Sequence, residues 1–236
     1  MEKATNYEKN ICLLNDASWT SLRINEKIDV LQSIEDEIAK RERRLPCIVS
    51  ADYMPSTEDS ICLGKYRTLT KDIVINSEQL EVDSKYGNDY KVHVNTVLHE
   101  GRHAYQDQAV AGVIEHDDSV ELEKWRDNIT PGHYIEFLQN PKGYFNQPIE
   151  SDARAYANKE FKQIENEKTQ LNAKYLNGPK LMIDAKKEYL EYMLKNENQQ
   201  VEISKAKATY VSNYNMNQYY EANTSNGSEN ERKNRR

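Results

Sequence analysis

Three absences limit what this chain can be. Its only cysteines, Cys12, Cys47 and Cys62, are odd in number, widely spaced and without a CxxC pair. This argues against a disulfide framework or a thiolate zinc site, and favours small buried side chains in a reducing compartment. No apolar run approaches the roughly 18 residues of a membrane span, and residues 1–10 lack the apolar core of a secretory signal. The sequence therefore predicts a protein without a membrane contact, located in the cytoplasm or exported without a cleavable signal peptide.

Basic blocks are missing as well. Lys and Arg total 32 against 39 Asp and Glu, a formal net charge of −7, and no basic stripe is long enough to follow a phosphate backbone. Nucleic acid is therefore not expected as a partner. Charged residues make up 30% of the chain and hydrophobic residues 37%, which indicates solvated helices around a core of moderate size.

The hydrophobic pattern of the first half predicts an α+β fold. From Ser18 to Arg44 apolar residues recur at three- and four-residue steps, which is typical of an amphipathic helix. Short β-rich segments separated by turn residues follow, and we predict strands of a small sheet over Cys47–Tyr53, Ser60–Leu63 and Asp72–Asn76. Helical spacing returns over Val92–Val110, so a second amphipathic helix is expected there.

The second half is predicted to be mostly helical. Residues 111–147 contain several glycines and prolines and indicate short helices and loops. A strong helix is expected from Ile149 to about Lys168, because Pro148 is well tolerated at a first helical turn. Beyond Gly178-Pro179 we expect helices at about 180–196 and 199–219 as a C-terminal extension over 169–220. Residues 221–236 carry no large apolar side chain and are predicted to be a disordered tail.

The residues His99-Glu100-Gly101-Arg102-His103 form the pattern HExxH. Residues four apart lie on one face of a helix, so the His99 and His103 imidazoles can share one zinc ion. Glu100 can accept a proton from a zinc-activated water, whose pKa falls to about 7, and pass it to a leaving amine. The pattern therefore predicts His99 and His103 as metal ligands and Glu100 as the catalytic base. Gly101 inside this helix costs about 0.5–1 kcal/mol relative to alanine, which indicates a compensating reason such as the close approach of substrate or of a neighbouring strand.

A catalytic zinc ion generally needs a third protein ligand and keeps a fourth position for water. Glu150 lies at the start of the next strong helix, where the small Ala153 and Ala157 permit close packing against the first helix. We therefore predict Glu150 as the third ligand. Asp152 is the alternative, and the two point in different directions because they are two residues apart on a helix. Both could also be no more than favourable charges in a first helical turn.

The two motifs together carry a family resemblance. HEGRH, followed 47 residues later by ESDARAYA, resembles the gluzincin metallopeptidases, whose third ligand is a glutamate at the start of a downstream helix. The second motif is most similar to that of small soluble zincins that cleave repressors or form toxin-type metallopeptidase domains. The resemblance covers roughly Thr70–Phe161 and implies a zincin-like core of strand, active-site helix and glutamate helix within a domain of residues 1–168. The positions that match the second motif are Glu150, Asp152, Ala153, Tyr156 and Ala157.

One position departs from this resemblance. Arg154 stands where several gluzincin groups place an aspartate that braces a ligating histidine. We therefore consider Asp107 or Asp152 as the carboxylate that holds a ligand imidazole through its free N–H. A donor is also expected for the negative charge that develops on an attacked carbonyl. By residue type, the candidates for that donor are His116, His133, Tyr144, Arg154 and Tyr156.

The resulting hypothesis is a zinc metalloendopeptidase that acts on a protein or peptide substrate. The alternative is a zincin-fold binding or regulatory protein with little or no proteolytic activity, which contacts a partner through the C-terminal helices. A helical protein without metal is the third interpretation. Glu100 favours the enzyme, because a scaffold that only holds zinc does not need it. The strand that ends near Ser77 is expected to offer an edge with which an extended substrate pairs.

Overall fold

The computed structural model describes residues 4–56 and 60–175. Apart from Leu69–Lys71, these residues belong to one compact unit. The helices predicted at about 180–196 and 199–219 and the tail at 221–236 lie outside the described residues. Within the described ranges, no helix combines the length and the apolar character that a membrane crossing requires.

The described part of the chain is an α+β fold with a small mixed sheet and several helices, which confirms the predicted fold class at this level. The strands are β1 (Val49–Asp52), β2 (Gly64–Arg67) and β3 (Asp72–Asn76). The helices are α1 (Asn6–Ile11), α2 (Asp16–Ser21), α3 (Ile24–Arg41), α4 (Ser77–Leu80), α5 (Tyr90–Val110), α6 (Ser119–Asn128), α7 (Pro141–Asn146) and α8 (Pro148–Tyr175).

Strand β3 is the centre of the sheet, whose order is β1-β3-β2. It pairs parallel to β1, with Val49 opposite Ile73, and antiparallel to β2, with Tyr66 also opposite Ile73. All five of its residues are buried, as a short apolar run covered on both faces should be. The strand predicted over Asp72–Asn76 is therefore confirmed. The prediction that it offers a free edge near Ser77 is wrong, because β3 is paired on both sides and β2 forms the edge next to α5.

In the first half of the chain, the clearest differences from the predicted bounds concern one helix and one strand. The helix expected from Ser18 is interrupted, because the backbone of Leu22 and Arg23 is extended and α3 begins only at Ile24. The Glu26 carboxylate accepts the Arg23 N–H at 2.8 Å and so restarts the helix. The strand expected over Ser60–Leu63 begins instead at Gly64. The Asn76 side-chain amide donates to the carbonyl oxygen of Cys62 at 2.8 Å, so that segment is held by a side chain.

Helices α5 and α8 pack against each other and carry the motifs. Small buried residues on the two helices, Ala104, Ala153 and Ala157, permit the close approach that the sequence indicated. Helix α8 continues past Lys168 to Tyr175, because the first strong helix breaker beyond that point is Gly178-Pro179. The main hydrophobic core is formed by side chains of α1, α3, α5 and the sheet. Full burial of each large apolar side chain in it stabilises the fold by about 1.5–3 kcal/mol.

Candidate metal centre

Three of the residues predicted as ligands come together between α5 and α8. The Nε2 atoms of His99 and His103 are 3.1 Å apart. The Glu150 carboxylate faces both, with Oε2 3.2 Å from His99 Nε2 and Oε1 3.4 Å from His103 Nε2. One ligand atom from each residue lies within 4.8 Å of the others, so the group can hold a metal ion.

The local structure explains why these side chains meet. His99 and His103 are one helical turn apart on α5 and share a face. Glu150 lies in the first turn of α8, where Asn128 caps the helix by accepting the Ile149 N–H at 3.1 Å. The helix start therefore presents the carboxylate to the two imidazoles.

The electrostatics of the group fit a cation. Glu150 is only 2% exposed, and its buried Oε2 has no hydrogen-bond partner among the residues that the structure describes. Burial alone would raise the pKa of Glu150, but the His103 and His99 imidazoles hold this pKa well below its usual range. Burial alone would lower the pKa of His103, but Glu150 and Glu100 raise it to about 9. The two opposite shifts mean that positive charge is favoured at this point, and two imidazoles with one carboxylate suit several divalent transition metals.

Glu100 lies next to this group but is held by the sheet. Its Oε2 accepts the backbone N–H of Tyr66 at 2.7 Å, an outward-facing group of the edge strand β2. The Tyr66 hydroxyl donates to Asp107 Oδ2 at 2.7 Å, further along α5. Strand β2 is thus attached to α5 at two points, and the first of them sets the orientation of the predicted base.

The partner of the His103 Nδ1 atom is Gln106, whose Oε1 lies 2.8 Å away. Sequence reasoning missed this residue, although it follows His103 by three positions and therefore lies on the same helix face. Of the two carboxylates considered for this role, Asp107 bonds with Tyr66 instead. Asp152 acts only indirectly, because it accepts the Gln106 side-chain N–H at 2.7 Å.

Asp152 is also the alternative third ligand, and the structure gives it other partners. Its carboxylate receives Arg102 Nε at 2.8 Å and Arg102 Nη2 at 3.3 Å. It is not part of the group of potential ligand atoms formed by His99, His103 and Glu150. The described structure therefore favours Glu150 over Asp152 at the third position.

Two tyrosines line the Glu150 side of the centre. The Tyr134 hydroxyl donates to Glu150 Oε1 at 2.8 Å, and its ring contacts the ring of Tyr144, with centroids 6.2 Å apart. Burial raises the pKa of Tyr144, and the negative charges of Glu150 and Glu100 raise it further. Tyr144 was among the candidate donors, whereas Tyr134 was not. The fold of residues 129–147 brings Tyr134 to the site, and no sequence spacing indicates it.

Two of the other candidate donors belong to separate side-chain clusters. His116 lies between Tyr105 and Glu121, with Nδ1 3.1 Å from the tyrosine hydroxyl and Nε2 3.1 Å from the carboxylate. His133 is exposed, and its Nδ1 is 3.0 Å from Asp127 Oδ1. Neither contact connects these histidines to the metal centre.

The last two candidates, Arg154 and Tyr156, lie on α8. The Tyr156 ring packs against the Arg102 guanidinium, whose central carbon is 4.7 Å from the ring centroid. Arg154 donates from Nη2 to the carbonyl oxygen of Phe145. Its Nη1 is 4.0 Å from Glu150 Oε2 and has no hydrogen bond to any described residue. Arg154 therefore adds positive charge beside Glu150, while Tyr156 supports Arg102.

The chain matches no protein-family model, no curated protein and no solved structure. The resemblance of HEGRH and ESDARAYA to the gluzincins therefore stays a prediction. What this chain does must be inferred from the arrangement of His99, His103, Glu150 and Glu100.

Proposed function

We propose that this protein is a zinc-dependent metallopeptidase of the gluzincin type, with a zincin-like core built from β2, α5 and α8. His99, His103 and Glu150 are the zinc ligands and Glu100 is the catalytic base. The observation that carries the proposal is the convergence of three ligand atoms within 4.8 Å, directly beside Glu100 on α5. Two histidines and one glutamate, with a fourth position open, are a ligand set of catalytic zinc in peptidases.

Glu100 supplies the proton transfers of the proposed reaction. A bound zinc ion would polarise the scissile carbonyl and lower the pKa of a water molecule to about 7. The Tyr66 N–H holds Glu100 Oε2, so we assign Oε1 to the proton of the attacking water. The same carboxyl group then passes this proton to the nitrogen of the leaving amine as the peptide bond breaks.

Tyr144 is the proposed donor to the carbonyl oxygen on which negative charge develops. Its hydroxyl group is partly buried beside Glu150, Glu100 and Tyr134, and Tyr134 donates to Glu150 at 2.8 Å. A donor must keep its proton at neutral pH, as a tyrosine hydroxyl with its ordinary pKa of about 10 does. The substrate is expected to be a protein or a peptide.

The first test is zinc content, measured by elemental analysis of wild type, His103→Ala, Glu150→Ala and the control His133→Ala. We expect about one zinc per chain in wild type and control, and less than about 0.1 in both ligand variants. A wild type that holds no zinc would show that the proposal is wrong. Zinc retained by Glu150→Ala would mean that a residue other than Glu150 is the third ligand.

The second test separates an enzyme from a zinc-binding scaffold. Glu100→Gln should keep its zinc and should lower the hydrolysis of a quenched fluorescent peptide library by a factor of about 10²–10⁴, the usual contribution of general acid–base catalysis. Wild-type protein that holds zinc but cleaves none of these peptides would instead support the alternative of a binding or regulatory protein.

A further inference from the structure

We propose that Gln106 is a positioning residue of the metal centre, which holds His103 in the metal-binding tautomer and is itself held by Asp152 and Arg102. The inference rests on the proposed zinc site, since it concerns how one ligand of that site is oriented. It assigns a role to three side chains that do not touch the ion.

The orientation of the Gln106 amide follows from its other contacts. Its nitrogen lies 2.9 Å from the carbonyl oxygen of Ile149 and 2.7 Å from Asp152 Oδ2, and both of these atoms can only accept a hydrogen bond. The reversed amide would place its oxygen against two oxygens. The Gln106 oxygen must therefore face His103 Nδ1, 2.8 Å away.

This orientation decides the tautomer of His103. Because an amide oxygen accepts, His103 Nδ1 must carry a proton in both the charged and the neutral imidazole. A cation at the centre would therefore replace the proton on Nε2 and receive the lone pair of that atom. Nε2 is the atom that points toward His99 and Glu150. The hydrogen bond at one ring nitrogen thus prepares the other to bind a cation.

Gln106 also connects the two helices that carry the ligands. It is completely buried and extends from His103 on α5 to the backbone of Ile149, the residue that precedes Glu150 on α8. A shift of α8 away from α5 would therefore break the bond that orients His103. The Gln106 amide therefore adds a polar link between His103 and the start of α8 to the packing of the two helices.

Asp152 holds the Gln106 amide, and Arg102 in turn holds Asp152. Arg102 donates to both oxygens of Asp152, and its Nη1 is 3.2 Å from Glu42 Oε1. Its guanidinium carbon lies 4.3 Å from the centroid of the Tyr105 ring and 4.7 Å from that of Tyr156. The centroid of the Trp125 ring lies 5.2 Å from the same carbon, so with two acidic partners and three rings around it Arg102 has little freedom to move.

This arrangement accounts for Arg154 at the position where the resembled family places a bracing aspartate. The His103 imidazole is held by Gln106, which lies three residues later on α5. The Asp152 carboxylate acts on His103 only through the Gln106 amide. The position of residue 154 is therefore free to hold a different side chain.

The test compares Gln106→Met with Gln108→Met. Gln108 is 3% exposed on the same helix, and its amide bonds with the backbone N–H and carbonyl of Leu45 at 3.0 and 3.1 Å. Each substitution therefore removes one buried amide of the same size. We expect the zinc dissociation constant, measured by chelator competition, to rise about 10- to 100-fold in Gln106→Met and to stay at the wild-type value in Gln108→Met.

A spectroscopic readout keeps the test decisive if Gln106→Met is poorly folded. In zinc-loaded wild type, ¹⁵N-edited spectra of the imidazoles should show a slowly exchanging proton on His103 Nδ1. Asp152→Asn keeps an acceptor for Gln106 but removes the negative charge that pairs with Arg102. This variant should speed the exchange of the His103 Nδ1 proton, and it should weaken zinc binding less than Gln106→Met does.

Three outcomes would overturn the inference. Equal zinc dissociation constants in Gln106→Met and Gln108→Met would overturn it alone, as would an unprotonated His103 Nδ1 in the zinc-loaded protein. A wild type that binds no zinc would overturn it together with the proposed function, so the two failures are distinguishable.

Discussion

One buried and one partly buried histidine of helix α5 lie in opposite surroundings. His93, near its start, is fully buried, with Nε2 3.0 Å from the carbonyl oxygen of Tyr86 and its ring stacked on Trp19. Burial lowers the pKa of His93 to about 4, and the nearby Lys27 adds to this effect. His103, ten residues later, has its pKa raised to about 9 by Glu150 and Glu100 against the effect of burial.

The comparison shows that low exposure alone does not separate a structural histidine from a ligand, because His93 is fully buried and the His103 side chain is only 14% exposed. Around His93, burial and the Lys27 ammonium group favour the neutral imidazole and outweigh the Tyr86 carbonyl oxygen, which favours the charged form. His103 faces two carboxylates and a second imidazole, a set of electron-pair donors that favours a cation. The sign of the surrounding charge is therefore the feature that assigns His93 to the core and His103 to the candidate metal centre.

The largest expected effect concerns zinc-dependent stability of His103→Gln and His93→Gln. At a free zinc concentration about 1,000 times the dissociation constant, wild-type protein should gain about 4 kcal/mol of unfolding free energy. His103→Gln should gain nothing at that concentration. His93→Gln should gain as much as wild type, even though its starting stability is lower. Denaturant unfolding with and without zinc measures both quantities, and a normal zinc response in His103→Gln would break the comparison.

The second effect is a pH dependence caused by the lowered pKa of the buried His93. In the unfolded chain His93 binds a proton near pH 6.5, but in the folded chain only near pH 4. Between these values the unfolded state binds more protons, so the unfolding free energy must fall as the pH falls. We expect His93 to remove about 3 kcal/mol between pH 6.5 and pH 4.

This loss is measured as the difference between wild type and His93→Gln across that pH range. A chelator is present throughout, so that proton competition at the metal ligands does not contribute. His93→Gln keeps a donor for Tyr86 but does not titrate, and its unfolding free energy should fall less steeply. Parallel curves for the two proteins would mean that His93 is not held neutral in the folded state.

How much the sequence predicts depends on whether the signal is local. Strand β3 was predicted with its observed bounds, because a short apolar run between turn residues is a local pattern. His99 and His103 were brought onto one face by helix periodicity alone. Gln106 and Tyr134 were missed, because their roles depend on contacts with distant residues at the start of α8. Gln106 bonds with Ile149 and Asp152 there, and Tyr134 bonds with Glu150.

At Gly101 the sequence indicated the close approach of substrate or of a strand, and the structure instead places two charged side chains there. A methyl group on Gly101 would lie 2.8 Å from Glu35 Oε2 and 2.9 Å from Arg44 Nη2. These atoms belong to a buried ion pair, with Glu35 Oε2 2.7 Å from Arg44 Nη2. Neither Glu35 nor Arg44 can move aside without losing the other as its partner. A side chain at position 101 of α5 would therefore collide with this pair, and the motif HEGRH has glycine there.

Gly101→Ala is therefore expected to destabilise the protein, although alanine favours a helix. Overpacking costs about 1–3 kcal/mol and the better helix former offsets about 0.5–1 kcal/mol, which leaves a net loss of about 1–2 kcal/mol. Urea unfolding of the chelator-treated protein measures it. An increase in stability would show that the Glu35–Arg44 pair does not constrain this part of α5.

The smallest expected effect concerns Asp107, which was considered as a brace for a ligand imidazole. Its carboxylate accepts the Tyr66 hydroxyl at 2.7 Å, whereas Asp152 connects to His103 through Gln106. Asp107→Asn should therefore lower the unfolding free energy by about 1 kcal/mol, the contribution of one hydrogen bond, and leave the zinc dissociation constant unchanged. Tyr66→Phe is the matched variant, because it removes the other partner of the same bond. If Asp107→Asn weakened zinc binding and Tyr66→Phe did not, then the Asp107 carboxylate would act on the metal centre directly. The negative charge that acts on His103 would then come from Asp107 as well as from Glu150 and Glu100.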